Sequence, residues 1–283
     1  MKQLQIVDPI DVALREDIGQ GDITTDFFVS KDVQATARIV ARERAIVGGT
    51  KTAAEVFRRV DPQLKVDVLR KDGSEVDASD SVIDIEGAAG SILKAERVAL
   101  NFLQRLSGIA TLTRKFVDAA ANEHVKILDT RKTTPGLRAL EKAAVVAGGG
   151  ANHRFGLFDM VMLKDNHLGA RTGSDALAQA VRKFRETHPG IQIEVEADTL
   201  EQVRRFLEIK GIDVILLDNM KPAEIREAIA FGKGKVKFEA SGGVTLKNIR
   251  QIAATGIDFI SIGALTHSPR AIDFSLEITH VGA

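Results

Sequence analysis

The sequence predicts an α/β protein in which an antiparallel sheet is followed by an open, incomplete β/α barrel. Between residues 34 and 86 apolar residues alternate with a period of two, which is typical of half-buried strands. From about residue 125 the pattern changes to a repeat of apolar run, polar tip and amphipathic stretch, as in parallel strands joined by helices. Six apolar runs are clear, but a closed eight-unit barrel usually takes about 250 residues and fewer than 170 remain. An incomplete barrel therefore fits better than a doubly wound sheet.

The amino-terminal part contains helical signals as well as strands. Asp8 before Pro9 indicates a helix start, because aspartate caps the first turn and proline fits its first position. A long helix follows the strands, with Ser91 as its predicted cap and an apolar stripe at helical spacing. Arg97 lies on the opposite, polar face of that helix.

The later part supplies alternating elements in a regular order. The predicted strands are 125–128, 158–163, 191–195, 212–217, 236–238 and 259–262. The predicted helices between them are 137–147, 175–185, 200–209, 223–231 and 246–254. Because β/α barrels carry their chemistry at the carboxyl ends of the strands, the polar residues after each strand are the candidates for function.

Composition limits the possible partners. The 283 residues include 39 basic and 39 acidic ones, so the formal net charge of zero gives no indication of nucleic-acid or membrane binding. The lack of cysteine excludes disulfides, thiolate nucleophiles and cysteine-ligated zinc. The first residues lack the apolar core of a signal peptide, and no apolar run approaches membrane-spanning length. We expect a cytoplasmic protein that binds anions only locally.

Cationic side chains follow two of the predicted strands. The first group is Asp129-Thr130-Arg131-Lys132, and Lys164 ends the next strand. Three glycines and Asn152 precede His153 and Arg154 between these strands. An unpaired buried charge costs several kcal/mol, so such residues either reach water or bind an anion. A solvated loop at 131–132 and a helix stop at 153–154 are the alternatives, and repetition of the pattern favours an anion site.

Carboxylates and glycines follow the remaining strands. Glu196 and Asp218 lie at neighbouring strand tips, where they could act in catalysis or be ordinary loop carboxylates. The last two tips are Ser241-Gly242-Gly243 and Ile262-Gly263-Ala264, with helix starts predicted at Thr245 and Ser268. Backbone amides at glycine-bearing helix starts bind phosphate, so these tips are predicted to form a phosphate site.

Several of these motifs together resemble those of the quinolinate phosphoribosyltransferase family. The resemblance covers essentially the whole chain, and its motifs include Glu96-Arg97 with Asn101, Asp129-Thr130-Arg131-Lys132-Thr133, Asn152-His153-Arg154, Lys164-Asp165-Asn166-His167, Glu194-Val195-Glu196, Leu216-Leu217-Asp218-Asn219 and Ser241-Gly242-Gly243. One residue departs from the family pattern, because alanine stands at position 143 where tyrosine is expected.

The resemblance implies a fold and a reaction. It implies an amino-terminal α/β sandwich at 1–113, an open β/α barrel of about six or seven strands at 114–269, and a segment at 270–283 that packs back on the first domain. The implied enzyme is a pentosyltransferase of NAD biosynthesis. It converts quinolinate and phosphoribosyl pyrophosphate, with Mg²⁺, to nicotinate mononucleotide, pyrophosphate and carbon dioxide. It further implies a homodimer, or a higher oligomer, with shared active sites.

The resemblance also assigns residues. Arg131, Arg154 and, from the partner subunit, Arg97 are expected to grip the dicarboxylate. Further substrate contacts are expected from Thr130, Lys132, His153 and Lys164. Lys132, Glu196 and Asp218 are the expected catalytic residues, and the two carboxylates are also expected to hold Mg²⁺ through water. Backbone amides of Ser241, Gly242, Gly243, Ile262, Gly263 and Ala264 are expected to bind the 5-phosphate.

Two other functions stay open on the sequence. A related phosphoribosyl-transferring enzyme could act on a different heteroaromatic substrate. A non-catalytic descendant could only bind phosphorylated ligands, although the intact cations and carboxylates argue against it.

Overall fold

The structure, a computed structural model, describes residues 8–164, 174–232 and 234–282. The chain forms two compact units. The first runs to Arg114 and includes Thr133–Gly149 and the segment from Thr266 onward, and the second consists of Lys115–Lys132 and Gly150–Leu265.

The first unit contains a four-stranded antiparallel sheet. Its strands are β1 (Gln34–Ala41), β3 (Lys65–Val68), β5 (Ser81–Ala88) and β12 (Phe274–Gly282), in the order β12-β1-β5-β3. Two short strands, β2 (Ala45–Ile46) and β4 (Glu75–Val76), pair separately. The carboxyl-terminal strand β12 pairs with β1 along the length of β1.

Helices complete the first unit. They are α1 (Pro9–Ile18), α2 (Ile23–Phe28), α3 (Thr50–Val60), α4 (Ala89–Ala120) and α5 (Arg138–Ala147), of which α4 crosses the boundary at Arg114. Ile39, Ile83 and Phe57 are fully buried, as is Leu103 on α4, so one face of the sheet packs against helices. The predicted α/β sandwich is confirmed.

Two helix starts differ from the sequence analysis. Helix α3 was not predicted, because Gly49 precedes it in a left-handed conformation and no side chain caps it. The prediction that Ser91 caps α4 is wrong, since the helix begins two residues earlier and the Ser91 hydroxyl donates to Asp61 at 2.8 Å. At α1 the predicted cap is confirmed, with the Asp8 carboxylate accepting from the Ile10 amide at 2.9 Å.

The second unit contains a six-stranded parallel sheet. Its strands are β6 (Lys126–Leu128), β7 (Val161–Leu163), β8 (Ile193–Ala197), β9 (Val214–Asp218), β10 (Lys237–Ser241) and β11 (Phe259–Ser261). Their order is β6-β11-β10-β9-β8-β7, and the edge strands β6 and β7 are not paired with each other in the described residues. The helices are α6 (Ser174–Thr187), α7 (Leu200–Leu207), α8 (Pro222–Gly232), α9 (Ile249–Ala253) and α10 (Ala264–His267), of which α10 crosses the boundary at Leu265. The predicted open barrel is confirmed.

One segment groups differently from the predicted boundary at residue 114. Residues 133–149, which contain α5, belong to the first unit. The segment contacts the first unit by apolar packing and by an ion pair: Leu137 and Leu140 pack against its core, and the fully buried Glu141 of α5 lies 2.9 Å from the Arg105 guanidinium of α4. Among the described helices, none has the length and apolar character needed to cross a membrane.

Candidate active site

The carboxyl ends of the three central strands present side chains at two levels. Residues two apart on a strand face the same side, so Glu194 and Glu196 share one face of β8, as Glu239 and Ser241 do on β10. Asp218 of β9 pairs with Ser241 of β10. An outer level therefore contains the predicted site residues, and an inner level contains the two glutamates at 194 and 239.

At the outer level two predicted site residues meet directly. Lys164 Nζ lies 2.5 Å from Glu196 Oε2. Lys164 follows β7 immediately, and β7 pairs with β8, so the two side chains project from neighbouring strand tips. The Glu196 side chain is only 14% exposed, whereas that of Lys164 is 48% exposed, so the lysine can still reach an arriving anion.

Asp218 is held by the residue that follows it. The Asn219 side-chain amide donates to Asp218 at 2.7 Å, and the Asn219 backbone amide donates to the Ser241 carbonyl at 2.8 Å. Asn219 adopts a left-handed backbone with φ of 54°. A Cβ on Gly242 would lie 2.2 Å from Asn219 Oδ1, so only glycine fits there. Asn219 thus joins the Asp218 tip to the Gly242 turn.

Two of the predicted cations influence each other. Burial lowers the pKa of Arg154, the charge of Arg131 lowers it further, and the charges of Glu194 and Asp159 act in the opposite direction. Both arginines are predicted to belong to one site, and their mutual influence shows that they share one electrostatic environment. The nearby Thr130 hydroxyl accepts from the Lys132 amide at 3.1 Å, which orders the turn after β6.

His153 lies in a segment that runs beside β6. Ala151 forms a parallel bridge to Leu128, and the His153 amide donates to the buried Asp129 carboxylate at 2.9 Å. The His153 ring points inward and is 7% exposed. Its Nδ1 atom accepts from the Arg154 amide at 2.7 Å, which leaves Nε2 as the protonated nitrogen of the neutral ring.

The inner level is a buried cluster of His153, Glu194 and Glu239. His153 Nε2 lies 3.0 Å from Glu194 Oε2 and 3.5 Å from Glu239 Oε2, and the two glutamates are 1% and 2% exposed. Burial raises the pKa of Glu239 to about 8, the charge of Glu194 raises it too, and His153 and a hydrogen bond from Ser261 oppose the rise.

Other predicted site residues lie in varied settings. Arg97 is exposed on α4 of the first unit, and its predicted contact with a second subunit stays a prediction. Ile262 is buried, and its amide donates to the Leu128 carbonyl at 2.9 Å. Gly263 and Ala264 stand between β11 and α10. Asp165, Asn166 and His167 lie outside the described residues.

The two predicted helix starts near the glycine tips are wrong. Helix α9 begins at Ile249 rather than at Thr245, because the Asn248 side chain accepts from the Thr245 amide and hydroxyl and forms a turn first. Helix α10 ends at His267, before Ser268. Gly242 and Gly243 both have positive φ, 87° and 61°, so the predicted phosphate site would consist of turn amides. Ala143, where the family pattern has tyrosine, is exposed on α5.

The sequence analysis gave no function to four polar residues of the site. They are Asp129, Glu194, Asn219 and Glu239. For the glutamates a signal was present, because each stands two residues before a predicted site residue on the same strand and therefore on the same face. Asp129 and Asn219 directly follow strands, and only the tertiary contacts reveal what they hold.

Carboxylates and cations at the carboxyl edge of an open β/α barrel define a class of protein with a site for a small, charged ligand. Residues 22–107 match the N-terminal domain of quinolinate phosphoribosyl transferase, and residues 109–277 match its C-terminal domain. The chain belongs to the quinolinate phosphoribosyl transferase family.

Relatives of similar length support this assignment. The chain is 41% identical over 280 residues to the probable nicotinate-nucleotide pyrophosphorylase [carboxylating] of Bacillus subtilis, covering 99% of this chain and 95% of the relative. It resembles the solved nicotinate-nucleotide pyrophosphorylase of Francisella tularensis with a TM-score of 0.88 and 40% identity, covering 95% and 94% of the two chains. The solved NadC of Streptococcus pyogenes gives a TM-score of 0.91 and 38% identity, covering 100% and 98%.

Proposed function

We propose that this protein is a decarboxylating quinolinate phosphoribosyltransferase. It transfers the phosphoribosyl group of phosphoribosyl pyrophosphate to quinolinate and releases pyrophosphate and carbon dioxide, in the cytoplasm. The single observation that carries the proposal is the pairing of Lys164 with Glu196 beside Asp218, on strand tips of a chain whose two domains both match this family.

Quinolinate is a planar pyridine with two adjacent carboxylates, so its binding calls for several cations. Arg131 and Arg154 share one electrostatic environment, and Arg154 is partly desolvated. Two guanidinium groups that repel each other are stabilised when a dianion binds between them. Lys132, His153 and Lys164 complete the proposed contacts, with Thr130 shaping the turn that carries Lys132.

The 5-phosphate is proposed to bind turn amides of the last two strand tips. Two consecutive glycines in left-handed conformations let backbone N–H groups face one anion, as in the concave anion sites known as nests. The residues concerned are Ser241, Gly242, Gly243, Gly263 and Ala264. The predicted contact from the Ile262 amide is dropped, because that amide already donates to the Leu128 carbonyl.

The outer carboxylates fit Mg²⁺ in the chemistry of their donors. Mg²⁺ prefers carboxylate oxygens and usually keeps several water ligands, and Glu196 and Asp218 offer such oxygens next to the proposed phosphate site. Lys164 already pairs with Glu196, so a bound ion would be held through water and by substrate oxygens rather than by both carboxylates directly. When bound, the ion would neutralise charge on the departing pyrophosphate.

The chain's own residues would act mainly by position and charge. Glu196 and Asp218 lie where they could hold ribose hydroxyls and stabilise positive charge that develops on the sugar. The pyridine nitrogen then bonds to the anomeric carbon as the bond to pyrophosphate breaks. The adjacent carboxylate leaves as carbon dioxide, its electron pair stays on the ring carbon, and a proton from water replaces it. Lys132 is proposed to orient that carboxylate without binding it so tightly that its loss is opposed.

The decisive experiment measures product formation from quinolinate carrying a labelled 2-carboxylate. With phosphoribosyl pyrophosphate and Mg²⁺, we expect equal amounts of labelled carbon dioxide and nicotinate mononucleotide. Omission of Mg²⁺ should lower the rate, and nicotinate, which lacks that carboxylate, should be a poor substrate. Turnover of another heteroaromatic acid but not quinolinate would assign the chain to a different transferase, and binding without turnover would make it a non-catalytic relative.

The proposed dimer shares its active sites, with Arg97 supplied by the partner subunit. Arg97→Ala and Glu196→Gln should each abolish most activity. If the two variants are unfolded together, refolded and allowed to associate at random, half of the dimers combine both chains and each of these has one intact site. About a quarter of wild-type activity should then return. No recovery, with dimers present, would place Arg97 in its own subunit's site or outside any site.

A further inference from the structure

The inner cluster of His153, Glu194 and Glu239 has an unusual charge balance. The glutamates lie under the site, nearly inaccessible to solvent. Neither oxygen of Glu194 accepts a hydrogen bond of ordinary geometry from the described residues, and the same holds for Oε1 of Glu239. Buried polar oxygens without a donor are rare in folded proteins and need a physical explanation.

A hydrogen shared between the two carboxyl groups supplies the explanation. One carboxylate oxygen of Glu194 lies within 4.8 Å of a carboxylate oxygen of Glu239, and a hydrogen bond with Glu194 contributes to the raised pKa of Glu239. Two carboxylates can form such a bond only if one of them is a carboxylic acid, because ionised carboxylates only accept. The buried Glu239, whose pKa is raised, is the natural holder of the proton.

With the proton on Glu239, Glu194 is the ionised carboxylate of the pair, and its charge lies close to Arg154 and His153. Its charge favours the protonated form of Arg154, which burial and Arg131 both disfavour. It also lies at 3.0 Å from the ring nitrogen of His153, whose other nitrogen accepts from the Arg154 amide. The buried Glu194 carboxylate therefore contacts His153 and stabilises the charge of Arg154, which are adjacent residues of the proposed quinolinate site.

We propose that Glu194 and Glu239 are positioning residues, which share one hydrogen and hold His153 and Arg154 in the arrangement that binds quinolinate. This inference rests on the proposed function and adds two residues that do not touch the substrate.

A metal ion is the competing explanation for the same cluster. One imidazole nitrogen and two carboxylate oxygens lie within 4.8 Å of one another, which is close enough to hold an ion. However, His153 Nδ1 accepts a backbone N–H, so Nε2, the atom facing the glutamates, carries the ring hydrogen. A metal at Nε2 would displace that hydrogen and disturb the contact at Nδ1, and a proton between the carboxylates requires no such change.

The test compares Glu194→Gln with Glu239→Gln, and uses Glu201→Gln, an exposed glutamate at the start of α7, as the matched control. The glutamine amide at 239 can donate to Glu194 as the carboxylic acid does, so this variant should keep quinolinate affinity within about threefold of wild type. Glu194→Gln removes the charge beside Arg154 and should weaken quinolinate binding by roughly tenfold or more. The KM for phosphoribosyl pyrophosphate should change little in either variant, and the control should behave as wild type.

Quinolinate binding is measured by calorimetry without the second substrate, so that binding is separated from turnover. If wild type binds quinolinate and Glu194→Gln binds it equally well, the positioning role is wrong while the proposed function stands. If wild type itself does not bind quinolinate, the proposed function fails instead. An equal loss of quinolinate affinity in Glu194→Gln and Glu239→Gln would contradict the assignment of the shared hydrogen to Glu239.

Infrared spectroscopy provides a second measurement, which does not depend on the Glu194 variant folding. Wild type at neutral pH should show the carbonyl stretch of a buried carboxylic acid, and Glu239→Gln should lack it. Absence of this band in wild type would overturn the proposal, and so would one equivalent of bound metal in wild type that is lost in Glu239→Gln.

Discussion

Replacement of Glu141 by alanine tests how the segment after the Arg131-Lys132 turn is anchored. Glu141 is fully buried on α5 and accepts from Arg105 Nη2 at 2.9 Å and Nε at 3.2 Å. It also accepts from the Thr134 amide at 3.1 Å and from the Thr134 hydroxyl at 2.8 Å. The variant removes the acceptor of all four hydrogen bonds at once.

The expected loss follows from the burial of the pair. Removal of one partner of a buried ion pair costs about 3–5 kcal/mol, because the other charge is left uncompensated. Arg105 is 31% exposed and still donates to the Thr266 carbonyl at 2.5 Å, so the lower end of this range applies. A loss of about 3 kcal/mol in a chain of this size lowers the Tm by about 5 °C.

The assay is differential scanning calorimetry with Glu86→Ala as the matched control. Glu86 pairs with Lys65 at 3.2 Å, but the side chains are 59% and 73% exposed. An exposed pair contributes at most about 1 kcal/mol, so the control should lose no more than about 2 °C. Equal Tm values for the two variants would refute the reasoning that burial, rather than the presence of an ion pair, determines the loss.

Three further outcomes are expected. Arg131→Ala should lower kcat/KM for quinolinate at least tenfold, since a hydrogen bond to a charged group contributes about 1.5–3 kcal/mol; full activity would remove this residue from the site. Gly242→Ala should raise the KM for phosphoribosyl pyrophosphate, because its Cβ would lie 2.2 Å from Asn219 Oδ1. The matched control is Gly136→Ala, which has a similar φ of 82° but no atom within 4 Å of the added Cβ, so it should show the cost of backbone strain alone. In the folded protein Glu239 keeps its proton up to a pKa of about 8, whereas in the unfolded chain it loses the proton near 4.5. The free energy of unfolding should therefore fall as pH rises between those two values. Glu239→Gln should flatten that part of the plot of Tm against pH, and an unchanged slope would contradict the raised pKa.

Much of the fold was predictable because it depends on local patterns. The alternation through Ala37 and Ile39 produces β1, and the apolar runs of the second unit produce its six parallel strands. Helix α3 escaped prediction because Gly49 gives no capping signal. The boundary at 114 did not anticipate that 133–149 join the first unit, because this grouping depends on contacts between residues far apart in the sequence, such as Glu141 and Arg105, 36 residues apart.

The sequence by itself determined the fold class, the family and the strand tips at which charged residues collect. It could do so because strand period, strand ends and motif residues are properties of neighbouring positions. Only the tertiary structure decided what each charge meets: Lys164 meets Glu196, Asn219 holds Asp218, and His153 turns inward toward two buried glutamates. The pairings of Lys164 and of His153 join residues that are far apart in the sequence, and desolvation and Coulomb energies depend on distance and burial in the folded protein.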